Sequence, residues 1–326
     1  MNWLTWRQFR SQALAGYAGL ALMGALLALT GVQIFHTFNA SGLARCLAHA
    51  NEGCGDLAGA FEDRYRSTQF AALFFLVVPV LVGMFWGAPL VARELANGTH
   101  RLAWTQSVTR RRWIVSKLAV IGASTLAFSV VLSWAVSWWT RPMVASGWWN
   151  RFDPGIFDQR GVVPIAYTLF AVALGVALGA LIRKTLPAVF ATLAIYATVR
   201  VTIILFLREH YMAAKTVVYG FGGRAERVGD WVLSRATIDG AGRVVGQRGL
   251  DFGYLASHCP GLVPANGDLI GKGDAAQCFD KLGLHTSVLF QPASRFWTFQ
   301  AIETAIFLAL TALLVVFIIR RVKRVA

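Results

Sequence analysis

Apolar residues in this chain are gathered into six long blocks, separated by polar segments of very unequal length. The blocks run from Gln12 to Phe35, Phe70 to Val91, Leu118 to Trp138, Val162 to Ile182, Leu186 to Leu207 and Phe296 to Ile319. Each is close to the ~20 residues that a helix needs to cross ~30 Å of hydrocarbon. Unpaired backbone polar groups cannot persist in lipid, so each block is predicted to be helical. Pro79, Pro89, Gly175 and Gly179 lie inside the blocks, where such residues are tolerated. The predicted fold class is therefore an all-α polytopic membrane protein with six transmembrane helices.

The polar segments divide the chain further. Residues 1–11 carry Trp3, Trp6 and Phe9 at helical spacing with Arg7 and Arg10 between them, a pattern that fits a short interfacial helix or a basic, aromatic flank of the first span. Residues 12–207 hold spans one to five, interrupted by a polar stretch at 92–117. Only Arg183-Lys184-Thr185 separates the fourth and fifth blocks, which predicts an antiparallel helical hairpin. Residues 208–295 are long enough for a small folded domain, with Gly- and Asp-rich turns, and 296–326 form the sixth span and a basic tail. Trp138, Trp139, Trp148 and Trp149 flank the third loop as interfacial aromatics.

Composition supports a membrane solvent. Of 326 residues, 56% are hydrophobic and 14% charged, against roughly 25% charged in soluble domains. Mean hydropathy is +0.54. Loops on the side of the termini hold 14 Lys and Arg against the single acid Glu94, while the opposite loops hold 16 against 14 acids. The positive-inside rule then places both termini in the cytoplasm. A net charge of +15 accordingly reports topology and contact with anionic lipid. It gives no reason to invoke nucleic acid, because no basic soluble module accompanies it.

All four cysteines fall in loops on the other side: Cys46, Cys54, Cys259 and Cys278. An oxidising compartment would pair them. Of the three connectivities that four cysteines allow, Cys46 with Cys54 and Cys259 with Cys278 is the expected one, since each pair closes a loop within one segment. Their spacing does not suit zinc, and no metal site is expected. The first block is longer than a signal-peptide core and is read as a retained anchor.

Catalysis is not expected of the chain. None of the six histidines lies in a span, and the span serines Ser124, Ser129 and Ser133 have no partner base. Gly267 to Gly273 (GDLIGKG) lacks the glycine and the Ser/Thr of a phosphate loop. Gly220 to Ala225 (GFGGRA) matches a loose dinucleotide fingerprint without the strand and helix that such a site needs. Two charges do lie inside spans. Arg200 is seven residues from the outer end of the fifth and Glu303 seven from the outer end of the sixth, each roughly 10 Å below the boundary. Opposite charges at one depth on antiparallel helices are expected to pair, as a lock between the helices or as a polar element of a gate. Gly175 and Gly179 form a GxxxG pair that lets another helix approach closely, including across a dimer seam.

The 92–117 stretch, ARELANGTHRLAWTQSVTRRRWIVSK, combines an acid at its start, a break at Asn97-Gly98 and a basic end, and suits docking of a soluble partner. Glu94, Gly98-Thr99, Leu102, Ser107, Arg110 and Lys117 resemble the E-x(3)-GT-x(2)-L…S…R…K pattern that follows the second span in permeases of type-2 ATP-binding-cassette (ABC) exporters. NWLTWRQFR, GMFWGAPLVARELANGTHRLAWTQSVTR, RGVVPIAY, RKTLPA and QPASRFWTFQAIE extend the likeness, to an actinobacterial branch of these permeases. The resemblance implies a dimer of six-helix bundles with two cytoplasmic ATPase subunits, which bind the ATP and Mg that this chain does not. Glu94, Gly98, Thr99 and Arg101 would lie at the docking surface, and a hydrophobic or amphipathic compound would be exported. A membrane-anchored sensor or assembly protein using the 208–295 domain is the alternative.

Overall fold

The computed structural model describes residues 2–49, 53–98, 109–220, 223, 227–247, 251–259 and 272–323. Among them, six helices are long and apolar enough to cross a membrane. The first runs without a break from Asn2 to Ala40. The N-terminal segment is thus continuous with the first span, and Phe9 is buried with its ring 5.2 Å from that of Trp86 in the second span. An aromatic expected at the membrane surface is therefore part of the core.

The second span is built in three pieces: Thr68–Val82, a π-turn over Gly83–Gly87, and Ala88–Ala96. The wider turn is marked by the Ala88 N–H donating to the Gly83 carbonyl five residues earlier. Pro89, at the start of the last piece, lacks the N–H that a regular helix would use there. The third span, Arg110–Trp139, begins at Thr109, whose hydroxyl accepts from the Arg112 N–H as an N-cap. The fourth and fifth spans are Val163–Ile182 and Thr185–Thr202, joined at Arg183, which adopts a left-handed φ of 59° to close the hairpin. The fifth continues through a second π-turn at Ile203–Leu207, and the sixth span is Phe296–Lys323.

The fourth span is the axis of the bundle and is largely buried, whereas the first, fifth and sixth keep most of their surface exposed. It packs on the second span through glycine. A Cβ at Gly175 would lie 2.4 Å from the Gly83 carbonyl oxygen, and one at Gly179 would lie 2.5 Å from that of Ala88. Gly83 and Gly87 make the reciprocal approach to the Ala171 and Val172 carbonyls, each at 2.5 Å. The GxxxG pair is thus occupied within one chain by the second span.

Glu209–Phe296 forms a separate compact unit. It contains a four-stranded antiparallel sheet in the order β1-β4-β2-β3, from strands β1 (Lys215–Gly220), β2 (Trp231–Ile238), β3 (Val244–Gln247) and β4 (His285–Gln291). The Gly- and Asp-rich turns legible in the sequence connect strands that the helical expectation does not include. Cys259 and Cys278 are disulfide-bonded, and Leu255 and Cys259 are buried beside Phe279 and Leu282. Cys46 and Cys54 form the other disulfide, between the short helices Leu43–Ala48 and Gly55–Tyr65.

Candidate functional site

Two polar constellations stand out in the apolar bundle. The first is at the end of the second and the start of the third span. Helix Ala88–Ala96 stops at Asn97, and Gly98 follows with a φ of 70°, a conformation that glycine adopts without strain. One turn before the stop, Glu94 Oε1 accepts from Lys117 Nζ at 2.7 Å, with the lysine side chain 3% and the glutamate side chain 15% exposed. Lys117 Nζ also lies 5.2 Å from the Trp113 ring centre. A charge near each end of the 92–117 stretch thus closes its base, and Gly98 leaves from a fixed point. Thr99, Arg101, Leu102 and Ser107 lie outside the described residues, as does most of the GDLIGKG stretch and much of GFGGRA.

The second constellation is a buried charge cluster. Arg200 and Glu303 approach to 3.4 Å, yet neither is the other's best partner. Arg200 is 2.7 Å from Asp158, and Glu303 accepts from Arg208 Nε at 3.0 Å and Nη2 at 2.9 Å. Arg208 also donates to Asp158. The Tyr167 hydroxyl donates to Glu303 and contacts Asp158 at 3.2 Å, while the Arg200 guanidinium lies 3.5 Å from the Tyr167 ring centre. All five residues are buried, Glu303 completely. Two formal positive charges therefore meet two negative ones, which is the condition for keeping ions out of water at tolerable cost.

Local structure explains how Arg208 reaches the cluster. In an uninterrupted α-helix, residues eight apart are about 80° out of register at 3.6 residues per turn. The π-turn at Ile203–Leu207, where the Arg208 N–H donates to the Ile203 carbonyl, widens the helix and returns Arg208 to the face of Arg200. Asp158 arrives from the loop after the third span, held by the Gly161 carbonyl accepting from Ser133 and by the Gly161 N–H donating to Ser137. The Arg208 guanidinium also stacks 4.3 Å from the Phe157 ring centre.

Gln300, one turn before Glu303, completes the joint. Its Oε1 accepts from the N–H groups of Val162 and Val163 at 3.1 and 3.0 Å, and its Nε2 donates to the Phe157 carbonyl at 3.1 Å. A side chain of the sixth span thereby caps the fourth, where orphan N–H groups need acceptors. On the same loop, burial and the fields of Arg151 and Arg141 pull Arg160 down to about 10, so it remains charged at neutral pH. Burial raises the Asp153 carboxyl, opposed by the Asn150 N–H.

Sequence reasoning singles out Arg200 and Glu303 but misses Asp158, Tyr167, Arg208 and Gln300. Tyr167 ends RGVVPIAY, and Gln300 and Glu303 stand in QPASRFWTFQAIE, so the stretches that carry the family resemblance also carry much of the cluster. Among the described residues, no group of His, Cys, Asp and Glu is arranged to hold a metal.

Neither the curated proteins nor the solved structures provide a match to this chain. A family model described as ABC-2 membrane transporter related matches residues 17–208, which is more than half of the chain and reaches from the first span to Arg208 of the cluster. With six membrane-spanning helices and this match, the chain belongs to the ABC-2 membrane transporter related family and is a multi-pass, membrane-spanning transporter component.

Proposed function

We propose that the chain is the permease subunit of an ATP-driven exporter, coupled to a separate ATPase through residues 92–117. It would move a hydrophobic or amphipathic compound out of the cytoplasm or the inner leaflet. The observation that carries this reading is the Glu94–Lys117 pair, which anchors the polar stretch to the second and third spans at its base. A partner pressing on Gly98, Thr99 and Arg101 would act on the rigid end of the second span and not on a loose loop.

A physical route for the push exists within the bundle. The second span meets the fourth through the backbone approaches at Gly83, Gly87, Gly175 and Gly179, which transmit displacement without intervening side chains. The fourth span is fixed at its other end by Gln300 and Tyr167 to the sixth span and to the arginines of the fifth. The π-turn at Gly83–Gly87 is the point at which the second span can adjust. Cytoplasmic placement of both termini, two ATPase copies binding ATP and Mg, and a second permease copy complete the proposal.

The test begins with sidedness. The four native cysteines are paired, so Asn97→Cys supplies a free thiol of its own among the described residues. An impermeant maleimide should leave it unlabelled in intact cells and label it after permeabilisation, and the purified protein should carry an ATPase with nucleotide-binding motifs. Labelling in intact cells would overturn the docking reading. Correct sidedness with no associated ATPase would favour the sensor or assembly protein built on residues 208–295.

A further inference from the structure

The first and second spans do not close on each other along their whole length. Between them runs a groove of two joined cavities, of about 470 and 680 Å³, which share Gly19, Met23 and Phe74. Its walls are almost wholly apolar, and Leu22, Phe74 and Phe85 on its rim are more than half exposed. The floor is low because of glycine: a Cβ built at Gly19 meets nothing within 4 Å. From Gln12 at one end to Thr30 at the other the groove follows the first span for about 27 Å at 1.5 Å per residue. That length is close to the ~30 Å of hydrocarbon in a bilayer, and the part from Gln12 to Met23, about 16 Å, matches one leaflet.

The two ends differ in charge. At the Thr30 end the lining includes Ser67, Thr68 and Trp139. At the Gln12 end the groove opens beside Pro89 and Arg93 into a smaller cleft of about 170 Å³, which Glu94 and Lys117 also line. Glu94 is neutralised by Lys117 at 2.7 Å. Arg93 is exposed and makes no side-chain hydrogen bond or ion pair among the described residues. A cation whose donors are unspent among the described residues therefore stands at the mouth of an apolar channel about one leaflet deep. An arginine there suits a phosphate, which its guanidinium can hold by charge-assisted hydrogen bonds.

We propose that this groove is a lipid site, holding one acyl chain of an anionic phospholipid from the leaflet at the Arg93 end, with the lipid phosphate on Arg93. The apolar walls discriminate weakly between chains that differ by a methylene or two. Headgroup choice therefore rests on Arg93, and occupancy rests on the open floor at Gly19. A lipid seated here would fill the space beside the π-turn at Gly83–Gly87 and support the second span at the piece that leads into the 92–117 stretch.

Native mass spectrometry of the full chain, purified in detergent and titrated with phosphatidylglycerol or phosphatidylcholine, tests this. The wild type should retain one phosphatidylglycerol per chain, with about fivefold preference over phosphatidylcholine, as one basic residue at the surface implies. Arg93→Gln should abolish the preference and keep the binding. Gly19→Phe, or Gly19→Leu should the larger residue prevent folding, should lower occupancy by both lipids about tenfold. Gly24→Phe, on the same helix with equally open surroundings but outside the groove, should bind as the wild type does. Binding without headgroup preference in the wild type, or unchanged binding in the Gly19 variants, overturns the proposal. So does an interchain disulfide in Leu22→Cys, which would show a second copy covering the groove.

Discussion

Replacing Glu303 by glutamine removes one charge and almost no volume from the buried cluster, and its effect can be worked out contact by contact. Glu303 receives Arg208 at 2.9 and 3.0 Å, Arg200 at 3.4 Å and the Tyr167 hydroxyl. Glutamine keeps one acceptor oxygen, but its amide nitrogen replaces Oε2 and turns a donor towards Arg208 Nε. At least one charge-assisted bond, of about 1.5–3 kcal/mol, is exchanged for a donor facing a donor. The two arginines, 8% and 1% exposed, are then left with Asp158 as their single anion. Breaking a buried pair by removing one partner costs about 3–5 kcal/mol, and that is the expected loss. Reversible unfolding of the purified protein in mixed micelles measures it. Because Arg208 is the closest charged partner, Arg208→Gln combined with Glu303→Gln should cost at least about 1 kcal/mol less than the sum of the single losses. A Glu303→Gln protein within about 1 kcal/mol of the wild type, or strictly additive losses, would refute the cluster as a structural lock. Normal stability with transport abolished would instead make it a gate.

Gly175→Ala should destabilise by about 1–3 kcal/mol, because its Cβ would lie 2.4 Å from the Gly83 carbonyl oxygen, whereas Gly24→Ala, with open space around it, should be neutral or slightly stabilising in the same unfolding assay. Gln300→Leu leaves the buried Val163 N–H, and the part-buried N–H of the exposed Val162, without their acceptor and should cost about 1–3 kcal/mol, with faster amide exchange confined first to the start of the fourth span. In the Glu209–Phe296 unit, Asp239 accepts from the backbone and side chain of Arg243 and from the Ala241 N–H, which hold its carboxyl below the ordinary carboxylate range. Its folded value is depressed, so its contribution is complete above the unfolded value of about 4 and is lost as pH falls through the lower folded one. Exchange of the Ala241 and Arg243 amides, corrected for intrinsic rates, should therefore stay constant from pH 7 to about 4 and accelerate below it.

The membrane helices were legible because lipid imposes one solution on an apolar run, and the two charges within runs were conspicuous for the same reason. Asp158 and Arg208 were silent because each stands just outside a run, in sequence that is already polar. Arg208 needs the π-turn at Ile203–Leu207 to reach the cluster, and no residue pattern announces that turn. Gly175 and Gly179 showed that some helix comes close, but sequence could not say that the helix was the second span of the same chain. The sheet was hidden by distance along the chain: β1 pairs with β4, so Lys215 lies opposite Phe290, and neither strand alternates strongly enough to announce itself. Phe9 read as a surface aromatic because its burial depends on Trp86, far away in sequence.

The central claim is that the end of the second span is where an ATPase acts on this permease. The direct measurement is nucleotide hydrolysis by the complex isolated from native membranes through a tag on this chain, compared between wild type and Glu94→Gln, which releases Lys117 from its partner. The account predicts ATPase activity that co-purifies with the wild type and falls at least severalfold in the variant, with the bundle still folded. Equal hydrolysis in both, or none associated with the wild-type chain, would contradict it.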